Sequence, residues 1–291
     1  MDLAAFAADV GPADPVTVTG LGTRGGPVEG ARVVRAPSGI QWIAPEEMTV
    51  ACGAGTPVAE LDAALAACGQ RVSLPGGGSV GGALAAGHSG IRRLGDGPVR
   101  DALLQARVVT SDGVVAKAGG PTVKNVSGFD LCRLLVGSQG TLAFIGDVIL
   151  RTRPRPACSQ WFAGEVDPFG ARRTLYRPTS ILWDGTTTWV CLEGHPDDVS
   201  AEAALVGLAA VDGPPPLPTA GRRSLPPADL RQLDGERDRF VAEVGVGIVH
   251  TDHAVGAVGL DPVVAGLHER LKAAFDPRRR LNPGRLVAGA A

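Results

Sequence analysis

Clusters of cysteine are missing from this sequence of 291 residues. Its five cysteines lie at least sixteen positions apart, so the chain contains no C-x-x-C pair and no run that would ligate an iron–sulfur cluster. We therefore interpret all five as buried thiols. They are Cys52, Cys68, Cys132, Cys158 and Cys191.

Long apolar runs and a basic N-terminus are missing as well. No run approaches the roughly 18 to 20 residues that span a bilayer, and the opening segment MDLAAFAADVGPADP carries acids where a secretory signal carries basic residues. Lysine and arginine are scattered and the net charge is −2, which excludes the basic footprint of a nucleic-acid-binding protein. We expect a cytoplasmic protein whose only association with a membrane would be through partners.

Glycine is abundant, whereas aromatic residues make up only 4% of the chain. The 41 glycines are accompanied by 23 prolines, and the bias of a GC-rich genome would favour both residue types. The 44% of hydrophobic residues is sufficient for a substantial core. The placement of the glycines is therefore more informative than their number.

The first glycine-rich loop follows a predicted strand, in the stretch VTVTGLGTRGGP at 16–27. Its spacing G-x-G-x-x-G opens a pyrophosphate-binding helix in a Rossmann fold. Here Gly26 and Pro27 oppose helix propagation, and the chain continues into strand-like runs at 31–35 and 41–43. We reject the Rossmann interpretation. What remains is either an ordinary turn or a loop whose backbone N–H groups face an anion.

A second glycine-rich loop follows a predicted helix. Thr56 is a good N-cap residue and Pro57 suits the first helical position. Seven glycines then lie within residues 76–90. The spacing is partly that of a P-loop, but Ala83 and Leu84 stand where Lys and Ser/Thr would bind phosphate. This argues against a nucleoside triphosphatase.

A third segment, VKNVSGFDLCRLLVGSQGTL at 123–142, follows a predicted β-hairpin that turns at 111–113. Leu131, Leu134 and Leu135 predict a short helix, and a strand follows it. Three glycine-bearing segments thus alternate with regular structure.

In this order, the segments resemble the FAD-binding domain of the vanillyl-alcohol oxidase and p-cresol methylhydroxylase family, the PCMH-type fold. Within that family they resemble in particular the smaller FAD-binding subunits of bacterial glycolate oxidases. The resemblance covers about residues 16–156 and the last sixteen. The matching sequences are GLGT at 20–23, GAGTP at 53–57, VGG at 80–82, KNVSGFD at 124–130, GSQGTL at 137–142, FDP at 275–277 and LNPG at 281–284.

The resemblance implies an α+β fold, with a two-lobed FAD-binding domain, a small α+β cap domain and a C-terminal tail that returns to the flavin. It implies that backbone N–H groups of the first two loops hold the pyrophosphate, and that the third segment lines the cofactor. The residues that it implies as FAD contacts are Gly20, Leu21, Gly22, Thr23, Arg24, Ser79, Val80, Gly81, Gly82, Gly87, His88, Ser89, Ser138, Gly140, Ile145 and Asn282.

Further expectations concern the attachment of the flavin to the protein and the side chains near its ring. Several relatives attach FAD covalently through a histidine of the first loop, which has no histidine here, so we expect non-covalent FAD. His88 is interpreted as a loop histidine without a bond to the flavin. Lys124 is a candidate for placing positive charge near the reduced ring, with a solvent-facing lysine as the alternative. Asn282 is a candidate for contacting flavin or substrate, with a simple turn residue as the alternative.

Oxidation of a hydroxyl group also needs a base for its proton, and a substrate carboxylate needs a cation. His250 and His253 are the candidates for the base, and Arg222 and Arg223 lie near them in sequence. We expect no metal site, because two histidines and one aspartate in a strand and turn are too few ligands. The richer histidine and glutamate signature of related hydroxy-acid dehydrogenases is absent, which leaves open whether the chain oxidises a substrate by itself.

The sequence pattern changes after residue 156. Predicted strands at 181–183 and 188–192 flank Asp184 and Gly185, and residues 197–210 predict a helix. We predict an FAD-binding domain at 1–156, a cap domain at 157–274 and a tail at 275–291.

The function that the sequence favours is that of an FAD-dependent oxidoreductase, which oxidises a 2-hydroxy acid such as glycolate by hydride transfer to flavin. The resemblance favours a second, larger FAD subunit and an iron–sulfur subunit as partners that take the electrons. Two alternatives remain open: a non-catalytic or electron-relay flavoprotein subunit of a larger complex, and an NADPH-dependent enolpyruvyl reductase.

Overall fold

The structure is a computed structural model that describes residues 2–121, 130–236, 238–256 and 259–285. The described residues form two compact units. Unit 1 takes residues from 1–90, 98–155 and 260–289, and unit 2 takes residues from 91–97 and 156–259. Both units mix helices with sheets, which confirms the predicted α+β class.

Helices and strands alternate along both units. The helices are α1 Leu3–Val10, α2 Val58–Ala67, α3 Val80–Ala86, α4 Arg93–Asp96, α5 Leu131–Leu135, α6 Pro168–Thr174, α7 Pro196–Leu205 and α8 Pro262–Phe275, with 3₁₀ turns at Val99–Ala102 and Pro227–Leu233. The strands are β1 Val16–Thr19, β2 Arg32–Arg35, β3 Ile40–Ala44, β4 Thr49–Gly53, β5 Gln70–Val72, β6 Leu103–Val109, β7 Val115–Gly119, β8 Phe144–Pro154, β9 Cys158–Gly164, β10 Ser180–Trp183, β11 Thr188–Gly194, β12 Ala209–Val211, β13 Gly221–Ser224, β14 Phe240–Glu243 and β15 Ile248–Thr251.

Unit 1 contains two sheets. In the smaller one β1 and β2 run parallel, with Val16 opposite Arg32. The larger one has the order β3-β4-β8-β6-β7, and β5 also pairs with β8. Val148 and Leu150 of the long strand β8 point into a core that α2 closes with Leu61 and Leu65, all of them buried. Burial of this apolar surface is the main term that stabilises the unit.

Helix α2 begins one residue later than predicted. Its N-cap is Pro57, and no side chain caps it. The hydroxyl of Thr56, the predicted N-cap, instead accepts from Gly39 N at 2.9 Å and donates to Gly39 O at 3.2 Å. The predicted N-cap is therefore wrong, because that hydroxyl satisfies the backbone polar groups of Gly39 rather than those of the helix.

The C-terminal segment extends the parallel sheet of unit 1. Leu281 pairs with Val16; Val16 N donates to Arg280 O at 2.8 Å, and Asn282 N donates to Val16 O at 2.9 Å. Arg280, only 2% exposed, donates to three backbone carbonyls, those of Asp14, Ser111 and Val10. The tail is therefore an integral part of the unit.

A buried carboxylate fixes the start of this tail. Asp276 is fully buried and accepts from Lys272 Nζ at 2.6 Å, Leu281 N at 2.8 Å and Arg280 N at 3.1 Å. Lys272 Nζ also donates to Thr141 O at 2.7 Å and to Leu281 O at 3.1 Å. A charge buried in this way is tolerated only because all its partners are present.

Unit 2 is built around one antiparallel sheet of order β12-β9-β11-β10-β14-β15-β13. One face carries a core in which Trp183 meets Phe169 and Phe240 edge-on, at centroid distances of 5.9 and 5.5 Å. The opposite face carries a smaller apolar cluster, Trp161, Leu182, Cys191 and Val241, together with polar side chains.

The predicted strands around Asp184 and Gly185 are confirmed as β10 and β11. The predicted helix at 197–210 is wrong at its end. Helix α7 ends at Leu205, Gly207 adopts a left-handed φ of 71°, and the chain then joins the sheet as β12. A glycine at this conformation ends a helix at little steric cost.

The buried-thiol interpretation holds for Cys52, Cys132 and Cys191, but Cys68 is exposed and Cys158 is half-buried. Cys68 directly follows the last turn of α2, on a side that nothing covers within the described chain. Burial, with a contribution from Asp147, raises the pKa of Cys52 to about 12, so this thiol is uncharged at neutral pH.

The division into units differs from the predicted ranges 1–156, 157–274 and 275–291 at two places. Segment 91–97 groups with unit 2, where Arg92 Nη1 meets Glu193 Oε1 at 2.5 Å. Helix α8 groups with unit 1, to which the bonds of Lys272 tie it. Sequence periodicity carries no information on either of these long-range bonds.

The substitution Asp276→Asn is expected to destabilise unit 1 by about 3 kcal/mol, because it leaves the half-buried Lys272 ammonium without its carboxylate. The free energy of unfolding in urea measures this. The matched control is Glu269→Gln, which breaks the exposed Glu269–Arg279 pair and should change stability little. Equal unfolding free energies for the two variants would contradict the assignment.

Candidate functional site

An open cleft in unit 1 contains about 770 Å³ of space between atoms, a figure that includes the solvent at its mouth. It is lined by residues from six places in the sequence, at 18–25, 36, 54–55, 79–86, 138–145 and 282–285. The lining contains no aspartate or glutamate among the described residues. The lining residues are Val18, Thr19, Gly20, Leu21, Gly22, Thr23, Arg24, Gly25, Ala36, Ala54, Gly55, Ser79, Gly81, Gly82, Ala85, Ala86, Ser138, Gln139, Gly140, Ala143, Phe144, Ile145, Asn282 and Arg285.

The first glycine loop forms one wall of the cleft, and no helix follows it, as predicted. Gly22 has a φ of 72° and open space around it, and a Cβ at Gly20 would collide with Ser79 Oγ. Within the described chain, the N–H groups of Leu21 and Gly22 donate no hydrogen bond. They are thus available to an anion.

The second loop is arranged differently from the expectation. Ser79 caps α3, with its Oγ accepting from Gly82 N at 3.2 Å. The N–H groups of Val80 and Gly81 donate to Thr56 O at 2.9 Å and Ala54 O at 2.7 Å. Their backbone donors are thus engaged inside the protein. Gly81 serves close packing instead, since a Cβ there would lie 2.7 Å from the Ala54 Cβ.

Two arginines bring positive charge to the cleft. Arg24 donates from Nη1 to Gly77 O at 2.9 Å and from Nη2 to Gly76 O at 3.1 Å, which joins the first loop to the second. Burial lowers the pKa of Arg24, but a guanidinium remains protonated at neutral pH. Arg285 donates to Gly26 O. No sequence pattern predicted a role for Arg285, although it directly follows the LNPG motif.

The third segment and the tail meet at Asn282, which is 2% exposed. Its Oδ1 accepts from Thr17 Oγ1 at 2.8 Å and Val18 N at 3.3 Å, and its Nδ2 donates to Gln139 O at 2.6 Å. Gly140 leaves room for this amide, because a Cβ there would lie 2.7 Å from Asn282 Nδ2. Asn282 therefore joins three segments that line the cleft.

Twelve of the sixteen residues predicted as cofactor contacts line the cleft, and four do not. Val80 is buried in the core, and Gly87 is the left-handed C-cap of α3. Ser89 Oγ accepts from Val99 N at 3.0 Å, and His88 also lies outside the lining. Lys124, predicted to tune the reduced ring, lies outside the described residues.

Three of the predicted substrate groups, His250, Arg222 and Arg223, lie on strands of unit 2, and His253 follows β15. His250 Nε2 is 2.9 Å from Glu243 Oε1, and Glu243 is only 2% exposed. His253, more exposed, lies 3.4 Å from Asp252 Oδ1. Arg223 makes two hydrogen bonds to Glu236, at 3.0 and 2.8 Å. In the described part of the chain, no three His, Cys, Asp or Glu residues group as metal ligands.

Comparison with known proteins identifies the cleft-bearing unit. A family model described as an FAD binding domain matches residues 13–119. Glycolate oxidase subunit GlcE of Escherichia coli (strain K12) is 30% identical over 94% of this chain and 93% of its own length. The chain belongs to the GlcE family of FAD-binding subunits.

A further relative and a solved structure are similar to this GlcE-family chain. A D-lactate dehydrogenase of Archaeoglobus fulgidus is 39% identical, over 36% of this chain and 24% of its own length. A solved structure of alkyldihydroxyacetonephosphate synthase has a TM-score of 0.69 at 15% identity, and it covers 97% of this chain and 73% of its own. This likeness supports the fold, and the sequence matches support an FAD-dependent oxidoreductase with FAD as its cofactor.

The cleft of this GlcE-family chain fits a dinucleotide pyrophosphate. Glycines occupy the places where a Cβ would fill the cleft wall, free N–H groups lie on the first loop, and two guanidinium groups supply positive charge. None of the described helices is long and apolar enough to cross a membrane.

The substitution Gly140→Ala should weaken FAD binding about 10-fold or more, because a Cβ at this left-handed position would displace Asn282, and such overpacking costs about 1–3 kcal/mol. Fluorescence titration of the apoprotein with FAD measures this. Gly30→Ala is the matched control, because Gly30 has a similar φ of 74° with nothing within 4 Å of the added Cβ. Equal FAD affinities in both variants would contradict the role given to Gly140.

Proposed function

We propose that this chain is the FAD-binding subunit of a 2-hydroxy-acid dehydrogenase, acting on glycolate, D-lactate or a similar small acid. The observation that carries the proposal is the convergence of three glycine segments and the Asn282 amide on one cleft in a chain of the GlcE family. Bound FAD would supply the hydride acceptor for oxidation of the hydroxyl-bearing carbon.

The chain would bind FAD without a covalent bond. Covalent flavins are attached through nucleophilic or ring-bearing side chains, and the described cleft lining contains no histidine, cysteine or tyrosine. The free N–H groups of Leu21 and Gly22, with Arg24 and Arg285, would hold the pyrophosphate. Ser79, Gly82, Ser138 and Ile145 would bound the cofactor by contact.

Asn282 would act as a positioning residue for the cofactor. Both ends of its amide are engaged by unit 1, so its observed role is to hold Gln139, Gly140 and Thr17 in place. A direct contact of Asn282 with flavin or substrate stays a prediction, as does the effect of Lys124 on the reduced ring.

His250 would be the base that takes the substrate hydroxyl proton. It is 14% exposed and hydrogen-bonded to the buried Glu243, and a histidine held by a carboxylate is a common arrangement in general base catalysis. His253 is the weaker candidate, because its neighbours Asp252 and Asp238 are exposed and hold it less firmly.

Electrons would leave through partner subunits. The five cysteines are too widely spaced to bind an iron–sulfur cluster, so a chain of cluster carriers would have to come from another protein. The name of the Escherichia coli relative describes it as one subunit of a glycolate oxidase. We infer a second FAD subunit and an iron–sulfur subunit as the partners.

One observation favours a second candidate, a flavoprotein subunit that relays electrons or stabilises a partner without oxidising substrate. Of the candidate bases in the described residues of unit 2, only His250 is held by a buried carboxylate, and no three His, Cys, Asp or Glu residues group there as metal ligands, so few groups are available for catalysis. In that case the substrate would be oxidised on the partner.

Anaerobic reduction distinguishes these functions. We expect the purified yellow protein to bleach at about 450 nm with glycolate or D-lactate. Bleaching only with NADPH would contradict the proposal in favour of an enolpyruvyl reductase. Bleaching with a hydroxy acid only after the partner subunits are added would favour the second candidate, and a folded protein that takes up no FAD would contradict both.

The substitution Arg285→Gln should weaken FAD binding about 10-fold or more, because a charge-assisted hydrogen bond contributes about 1.5–3 kcal/mol. Equilibrium titration of the apoprotein with FAD measures the change. Arg278→Gln is the control, since Arg278 lies in the same tail but outside the cleft lining. An unchanged affinity in Arg285→Gln would remove this arginine from the pyrophosphate site.

A further inference from the structure

We propose that the glycine-rich segment at 75–78 positions the Arg24 guanidinium at the cleft through backbone carbonyls, so that the remaining N–H groups of Arg24 bind the pyrophosphate of FAD. This inference rests on the proposed function, because it deepens the role given there to Arg24. It assigns to the start of the second glycine loop the reverse of what a phosphate-binding loop does, since such a loop offers its backbone N–H groups to the ligand.

Three successive carbonyls accept hydrogen bonds from one guanidinium. Arg24 Nη1 donates to Gly77 O at 2.9 Å, and Nη2 donates to Gly76 O at 3.1 Å and to Pro75 O at 3.3 Å. We call Pro75, Gly76 and Gly77 the carbonyl segment. Within the described chain its carbonyls accept from no other donor, and the N–H groups of Gly76 and Gly77 donate to no acceptor. Arg24 is therefore the only hydrogen-bonded anchor of this segment among the described residues.

Glycine is required next to the carbonyl segment for two reasons. Gly77 and Gly78 have φ angles of 75° and 68°, a left-handed conformation that glycine adopts at little steric cost. At Gly78 space is a further constraint, because an added Cβ would collide with Arg24 Nη1 and Thr23 Oγ1. The missing side chain at position 78 thus leaves the space that the guanidinium occupies.

Arg24 keeps donors for a ligand. A guanidinium has five N–H groups, of which the carbonyl segment takes three. Arg24 lines the cleft, whereas no residue of the carbonyl segment does so in the described lining. The guanidinium therefore contacts the carbonyls and the cleft at once. Its planar array of donors suits the oxygens of a phosphate group, and fixing the side chain in advance lowers the entropic cost of binding.

Carbonyl acceptors hold this guanidinium without cancelling its charge. A carboxylate in their place would neutralise the arginine and leave little attraction for an anion. Burial lowers the pKa of Arg24, and no carboxylate of the described chain acts against this. Arg24 also separates three partly negative carbonyl oxygens from the cleft, where they would repel a pyrophosphate. The carbonyl segment acts on the cofactor through Arg24 and has a positioning role.

The substitution Gly78→Ala tests this role while leaving every charge in place. The colliding atoms are the ends of side chains, so the guanidinium should move while the fold stays intact. Equilibrium titration of the apoprotein should show at least about 10-fold weaker FAD binding, because hydrogen bonds to charged groups are strong. Gly69→Ala is the matched control and should stay within about 2-fold of the unsubstituted protein. Gly69 has a φ of 70°, nothing within 4 Å of an added Cβ, and a place outside the cleft lining.

Arg24→Gln completes a double-mutant cycle. In that background the added Cβ at position 78 has no guanidinium to displace, so Gly78→Ala should change FAD affinity by no more than about 3-fold. Losses of equal size in both backgrounds would show that the Cβ acts on the loop itself, and this would overturn the inference. Urea unfolding of each apoprotein verifies that the variants are folded.

Arg24→Lys provides a second test that leaves the loop unchanged. An ammonium keeps the charge but has only three donors, so a lysine that satisfies the carbonyl segment has none left for the pyrophosphate. We expect at least about 5-fold weaker FAD binding. An affinity equal to that of the unsubstituted protein would show that positive charge alone suffices, against the positioning role.

The results separate this inference from the proposed oxidation. If Gly78→Ala binds FAD as tightly as Gly69→Ala while hydroxy acids bleach the flavin, the oxidation stands and the inference fails. If the expected cycle is observed but no hydroxy acid bleaches the flavin, the role of Arg24 stands and the proposed oxidation fails.

Discussion

The site in unit 1 depends on the hydrogen bonds of one amide side chain. Asn282 accepts from Thr17 and Val18 and donates to Gln139, so a residue near the C-terminus joins two segments from the first half of the chain. The nearer of those segments is 143 positions away in sequence, and the farther is 265. Gly140 makes the contact feasible, because any side chain at that position would occupy the space of the Asn282 amide.

That amide is in place because the tail is anchored by buried charge. Asp276 accepts from Lys272 Nζ and from the backbone N–H of Arg280, and the Arg280 guanidinium donates to backbone carbonyls. These bonds compensate for the removal of the charged groups from water. The charged residues that line the cleft are all positive among the described residues. Arg24 and Arg285 face it together with unpaired N–H groups, and this is the electrostatic complement of a pyrophosphate. The FAD site and the stability of the fold therefore share the same C-terminal segment.

The two faces of the unit 2 sheet carry different kinds of residues. Neighbouring residues on a strand point to opposite faces, so Val249 and Arg223 serve the core side while His250 and Arg222 lie on the polar side. The buried Glu243 lies on the polar side and is 2.9 Å from His250 Nε2. Relatives are named as a glycolate oxidase subunit and a D-lactate dehydrogenase, and for the present chain such an oxidation is a proposal.

The sequence by itself determined the α+β class and half of the cleft lining, because glycine loops and short apolar helices are local signals that neighbouring residues encode. The FAD-binding family followed from the resemblance of its ordered motifs. Only the tertiary structure decided that Val80 and Gly81 use their N–H groups internally, that Arg285 reaches the first loop, and that Arg222 rather than Arg223 accompanies His250. The physical reason is the range of the interactions. Hydrogen bonds across strands and between distant loops depend on register and packing, which no local sequence pattern specifies.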